Sequence, residues 1–172
     1  MSGDSRLLSK AFVLAFFANF LHTMALHSYV HLPGFVEGLG GTETLIGTVM
    51  ATATFTAIMV RPGIGWLMDR RGRRIVILLG GALNLVACLM YLLVEDLGPM
   101  LYLVRVIHGV GRAAVFSSIF TLAADVVPAD RRAQGLALFG ISGIIPLAAG
   151  GILGDWLTRS SEYSLLFWST AG

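Results

Sequence analysis

The chain has 172 residues, 56% of them apolar and only 13% charged, with a formal net charge of +2. A soluble domain carries nearer ~25% charged residues, a disordered chain has the opposite balance, and a chain this short cannot hide so much apolar surface from water. What remains is an integral membrane protein, and at roughly 20 residues per crossing helix plus short loops the length accommodates five to six spans.

The first run, 11–36, contains no Asp, Glu, Lys or Arg. Arg6 and Lys10 precede it as in a signal peptide, but it exceeds the ~7–15 apolar residues of such a segment and no A-x-A site ends it. The second run, 44–68, is interrupted only by Arg61, and Thr44, Thr48, Thr52 and Thr56 form a small, hydrogen-bonding stripe suited to close helix contact. The third run, 75–94, carries Asn84 and the single cysteine, Cys88, which can form no internal disulfide and implies no metal site. The fourth, 99–126, carries Arg105 and Arg112. The fifth, 133–157, has glycines at 140, 143, 150, 151 and 154, with Pro146 expected to bend it. The sixth, 163–172, reaches only half way across at ~1.5 Å per residue. The expectation is an all-α bundle in one transmembrane domain, 1–172, with five complete helices and the start of a sixth.

Eight Lys and Arg (Arg6, Lys10, Arg70, Arg71, Arg73, Arg74, Arg131, Arg132) fall on one side of this arrangement and one, Arg159, on the other. The acidic loops hold Glu37 and Glu43, then Glu95 and Asp96, then Asp155 and Glu162. The positive side faces the cytoplasm, which places the N-terminus inside. Clusters at membrane boundaries are orientation signals and lipid anchors, so no nucleic-acid partner is expected.

Between the second and third runs the chain reads Gly65-Trp-Leu-Met-Asp69-Arg70-Arg71-Gly72-Arg73-Arg74. Asp69 ends a helix, Gly72 permits a tight turn, and four arginines meet the headgroups. This resembles the signature loop of the major facilitator superfamily, G-x-x-x-D-R-x-G-R-R/K. Arg105-Val-Ile-His108-Gly109-Val-Gly111 resembles that family's R-x-x-x-G-x-G pattern on helix four, and Ala124-Asp125-Val-Val-Pro128-Ala-Asp130-Arg131-Arg132 resembles its second cytoplasmic loop. Gly143, Pro146, Gly150 and Gly151 resemble the fifth-helix motif of antiporter members. They depart from it in spacing, and Ile145 stands where a glycine is expected. The resemblance covers essentially the whole chain and corresponds to the N-terminal half of a twelve-helix transporter of the multidrug or sugar-efflux type. It implies an ion-pair cluster that shuts the cytoplasmic side, with Asp69 and the loop arginines as members and Asp125 as the partner of Arg73 or Arg70.

An arginine at the depth of Arg105 must find a partner or water. The resemblance links it to proton coupling or to a polar network. Arg112 lies two turns on, nearly on the same face, where the family usually has a small or apolar residue. Two arginines on one face hint at an anionic substrate or lipid group. His108 neighbours Arg105 and could relay protons. Asn19 is either a helix–helix contact or a cavity residue. His22, His27 and His31 cannot converge on one metal from a straight helix, because His22 lies nearly opposite His31.

No G-x-S-x-G, H-E-x-x-H or phosphate-binding glycine loop is present, and neither an enzyme nor a bound cofactor is expected. The expected function is secondary active transport of a small molecule in a bacterial plasma membrane, coupled to protons and in the efflux direction, by alternating access. The missing C-terminal half, or a second copy, would complete it. The alternative is a truncated or non-transporting membrane protein that acts as an interaction partner or half-transporter.

Overall fold

The computed structural model describes residues 8–158 and 163–171. The expectations resting on Arg6, Arg159, Glu162 and Gly172 lie outside the described residues. Among the described residues every regular element is helical: α1 (Lys10–Ser28), a 3-10 turn (Tyr29–His31), α2 (Leu32–Gly38), α3 (Glu43–Arg71), α4 (Arg73–Tyr91), α5 (Pro99–Val126), a second 3-10 turn (Ala129–Arg131), α6 (Arg132–Thr158) and α7 (Tyr163–Ala171). Five segments, with α1 and α2 counted together, are long and apolar enough to cross a membrane.

The helix ends follow from local chemistry. Ser9 caps α1 by accepting from the Phe12 backbone N–H at 3.2 Å. Thr42 caps α3, whose first turn carries Glu43 where the helix dipole favours an anion. Gly72 separates α3 from α4 at φ +82°, a left-handed conformation that a side chain resists. Its N–H still closes on the Met68 carbonyl at 2.9 Å. Pro99 starts α5, where its missing N–H costs nothing.

Helix α5 is the hub. Its sides pack against α3 and α4, while α1 pairs with α6 and α1 also touches α5. Twelve α5 residues are buried, among them Val104, Arg105, His108, Gly109, Gly111 and Ser118. The outward faces are apolar: Leu14, Phe17, Phe55, Ile58, Leu78 and Ile152 are all exposed. Such faces suit hydrocarbon, where helices associate through close packing and polar contacts.

Three local expectations gain detail. The first run does not stay a single helix: the backbone tightens to a 3-10 turn at Tyr29–His31. Pro33 has no N–H to bond the Tyr29 carbonyl, so Leu32 N–H takes that carbonyl instead. The threonine stripe meets α5 along its edge: Thr48 Oγ1 lies 3.0 Å from the Tyr102 hydroxyl, and Thr56 Cβ is among the atoms nearest Gly109. Thr48 is exposed, and Thr52 and Thr56 return their hydroxyls to carbonyls four residues back, each at 2.8 Å. The fully buried positions lie one residue on, at Val49 and Ala53, and Gly109 of α5 approaches the Ala53 carbonyl and Thr56 most closely. The fifth run contains Pro146 inside α6, which runs from Arg132 to Thr158.

Candidate functional site

Two regions carry the polar chemistry. At one rim of the bundle, Arg73 Nε meets Asp125 Oδ2 at 2.9 Å and ties the α3–α4 turn to the end of α5. Both side chains are partly exposed, at 33% and 48%. Arg70 lies over the Trp66 ring, 4.3 Å from its centroid. Asp69, Arg71 and Arg74 are exposed at the same rim, with Gly65 half-buried one turn below. Among the described residues Asp69 has no ion pair, so the cluster implied by the resemblance contracts here to the Arg73–Asp125 pair.

The second region is the interior. Arg105 is 1% exposed. Its Nε donates to the Val49 carbonyl at 2.9 Å, Nη1 to the Tyr91 hydroxyl at 3.2 Å, and Nη2 to the Met50 carbonyl at 3.3 Å. One side chain of α5 therefore clamps both α3 and α4. A central arginine costs at least ~2.5 kcal/mol by insertion scales, and hydrogen bonds from a charged donor return about 1.5–3 kcal/mol each. These bonds explain how the charge is tolerated although every acceptor is neutral.

Tyr91 extends the chain, with its hydroxyl 3.4 Å from His108 Nδ1. The Tyr91 ring stacks on Phe167 at 4.9 Å, and Tyr29 meets His108 edge-on at 4.6 Å. The Tyr29 hydroxyl also contacts Cys88 Sγ at 3.0 Å and Thr170 Oγ1 at 3.1 Å. Sequence reasoning singled out Arg105 and His108 but passed over both tyrosines. The available signal was a phenol inside an apolar run, which has to find a hydrogen-bond partner.

Arg112 behaves differently. It is the fourteenth of the 28 residues of α5, at the helix midpoint. Its Nε is enclosed and unpartnered, as are His22 Nε2 and Asn84 Oδ1. Arg112 and Arg105 both line an open cavity of about 440 Å³ between α1, α3 and α5, whose wall includes His27, Tyr29, Met50 and Thr54. A crevice of about 40 Å³ behind it is lined by His22, Asn84, His108 and Arg112. No acidic residue stands in either wall among the described residues.

Asn19 is brought elsewhere. It is buried and donates to Ser142 Oγ of α6 at 2.8 Å, which makes it a bond between α1 and α6. On α6, Pro146 and Gly150 are buried and Gly143 and Gly151 half-buried. The close approach to α1 is made by Gly150 and Gly154, where an added Cβ would fall 2.6 Å from the Met24 carbonyl oxygen and 2.9 Å from that of Ser28. The Gly151 carbonyl accepts from His31 Nε2 at 3.1 Å, while His27 Nδ1 bonds the Thr23 carbonyl at 2.8 Å. Among the described residues no three His, Cys, Asp or Glu side chains converge as metal ligands would.

The comparisons with known proteins agree in kind. The chain is 28% identical over 140 residues to the staphylopine export protein of Staphylococcus aureus, covering 81% of this chain and 34% of that protein. It is 30% identical over 123 residues to the quinolone resistance protein NorA of the same species, covering 72% of this chain and 30% of that protein. To the inner membrane transport protein YajR of Escherichia coli it is 27% identical over 132 residues, covering 77% of this chain and 28% of that protein. The chain thus spans about a third of the length of these relatives. The family model of the Major Facilitator Superfamily matches residues 11–172. With five membrane-length apolar helices, a bridged basic turn at one rim and a polar interior around α5, this integral membrane protein belongs to the Major Facilitator Superfamily.

Proposed function

We propose that this chain is the N-terminal bundle of a proton-coupled secondary transporter that exports a small molecule across a bacterial plasma membrane by alternating access. The observation that carries this reading is the open cavity at the midpoint of α5, walled by Arg105 and Arg112. Transporters of repeated architecture hold substrate near mid-membrane and rock one bundle against the other. In this reading Gly65, Asp69, Arg70, Gly72, Arg73, Arg74 and Asp125 form the closing contact at the cytoplasmic rim, and the N-terminus is cytoplasmic. Arg105, Tyr91 and His108 form the polar centre through which substrate and proton are coupled. The α1–α6 seam, with Asn19, Gly143, Pro146, Gly150 and Gly151, is the surface that adjusts during rocking.

One relative is a quinolone resistance protein, so a fluorescent quinolone is the first probe. The natural full-length protein is reconstituted into vesicles and a pH gradient is imposed. The expected result is gradient-driven quinolone movement that falls at least tenfold in Arg105→Ala. Movement that persists unchanged after the gradient is collapsed would remove proton coupling. Movement that is unchanged in Arg105→Ala would remove the central role of that residue.

A further inference from the structure

The two interior arginines sit in one cavity wall, but they are not equivalent. All three nitrogens of Arg105 are engaged by Val49, Tyr91 and Met50. Arg112 makes no hydrogen bond or ion pair among the described residues, and its Nε is enclosed without a partner. It stands where solvent relief is most distant, at the midpoint of a 28-residue helix. A cation there is retained only where something compensates it, and no acidic residue shares its cavities.

We propose that Arg112 is the binding point for the acidic group of an amphipathic organic anion lodged between α1, α3 and α5. The proposal rests on the transporter reading and names the substrate class. The cavity, about 440 Å³, falls in the range of small-molecule sites. Leu26, Val30, Met50 and Ala51 offer an apolar wall for the body of the ligand, and Thr54 and His27 offer polar contacts beside its charged end. Guanidinium has five N–H donors in a planar fork that matches a carboxylate with two parallel bonds. A small crevice lies behind Arg112, lined also by His22, Asn84 and His108. Its volume, about 40 Å³, suits about one water. The guanidinium donors beyond Nε stay free for the anion.

The test uses the natural full-length protein in phosphatidylcholine nanodiscs, with 2-naphthoate and its neutral analogue 2-naphthamide as probes. Binding is read by equilibrium dialysis. The expected result is at least tenfold preference for the anion, lost in Arg112→Gln and partly retained in Arg112→Lys. Circular dichroism and thermal unfolding confirm that each variant is folded. Equal binding of the two probes by the unaltered protein would overturn the proposal, as would an anion preference that survives in Arg112→Gln. Phosphatidylglycerol nanodiscs that abolish naphthoate binding would assign Arg112 to a lipid headgroup and overturn it too. The quinolone flux experiment fails independently. Anion preference without flux removes transport and leaves the site, whereas flux without the preference removes the site and leaves transport.

Discussion

Arg105 and Tyr91 show how one buried charge distributes its cost. The arginine donates to three neutral acceptors, two of which are helix backbone carbonyls. Deleting the charge with an unbranched apolar chain of similar length relieves the burial as it removes the bonds. Arg105→Met is therefore expected to stay within about 1 kcal/mol of the unaltered protein in thermal unfolding. Tyr91→Phe leaves the cation in place without its Nη1 partner and is expected to cost about 2 kcal/mol. The double variant should recover most of that loss. A Tyr91→Phe cost that persists beside Arg105→Met would place the role of Tyr91 in ring packing on Phe167 instead. The Arg73–Asp125 pair is the opposite case. It is half exposed, so Asp125→Asn should change stability by less than about 1 kcal/mol. If the pair is a gate, the same variant lowers flux several-fold, and the charge-swapped pair Arg73→Asp with Asp125→Arg restores it. Stability and flux that fall together would assign the pair to folding.

Between helices, glycine placement decides contact more than hydropathy does. On α6, Gly150 faces α1 so closely that a Cβ would meet the His27 Cβ at 2.8 Å, while at the next residue, Gly151, a Cβ would have nothing within 4 Å. Gly150→Leu should therefore destabilise the bundle by about 1–3 kcal/mol through overpacking. Gly151→Ala should be neutral or stabilising by up to about 1 kcal/mol, since alanine is the better helix former. Equal melting temperatures for both variants would show that the seam is looser than its geometry implies. The same contrast explains what the sequence could and could not reveal. Long uncharged runs punctuated by charged loops made the helices legible, because hydrocarbon admits few alternatives to a helix. The basic loop was legible because its glycines and charges sit at fixed offsets. The contact face of α3 was legible only in part: Thr48 meets Tyr102 and Thr56 meets Gly109, but the fully buried positions are Val49 and Ala53, which the stripe does not include. The turn at Tyr29–His31 had its cause in Pro33, which a count of apolar residues does not register. Asn19 was ambiguous for a related reason: its partner, Ser142, lies 123 residues away in the chain.

Taken whole, the molecule separates its charges by rim. Lys10 begins α1, Arg71 ends α3, Arg73 begins α4 and Arg132 begins α6. Because successive long helices run in opposite directions, all of these lie at one end of the bundle, and the Arg73–Asp125 bond draws the end of α5 to the same place. Glu37, Glu43, Glu95, Asp96 and Asp155 gather toward the other end. Lysine and arginine near span ends set topology, and acidic residues contribute little to it. On the proposed reading the basic rim therefore faces the cytoplasm. Single cysteines introduced at Arg74 or Ala129, both exposed positions, should react with a membrane-impermeant maleimide only after cells are permeabilised. A cysteine at Glu95, exposed at the opposite end, should react in intact cells. Cys88 is 2% exposed and supplies little background. Reversed labelling would invert the bundle. The Arg73–Asp125 contact would then close the outer side, and the mid-membrane cavity beside Arg112 would fill from the cytoplasm when that contact is made, not when it breaks. On the transporter reading, the direction in which the cavity is gated thus depends on a topology that three cysteine variants can decide.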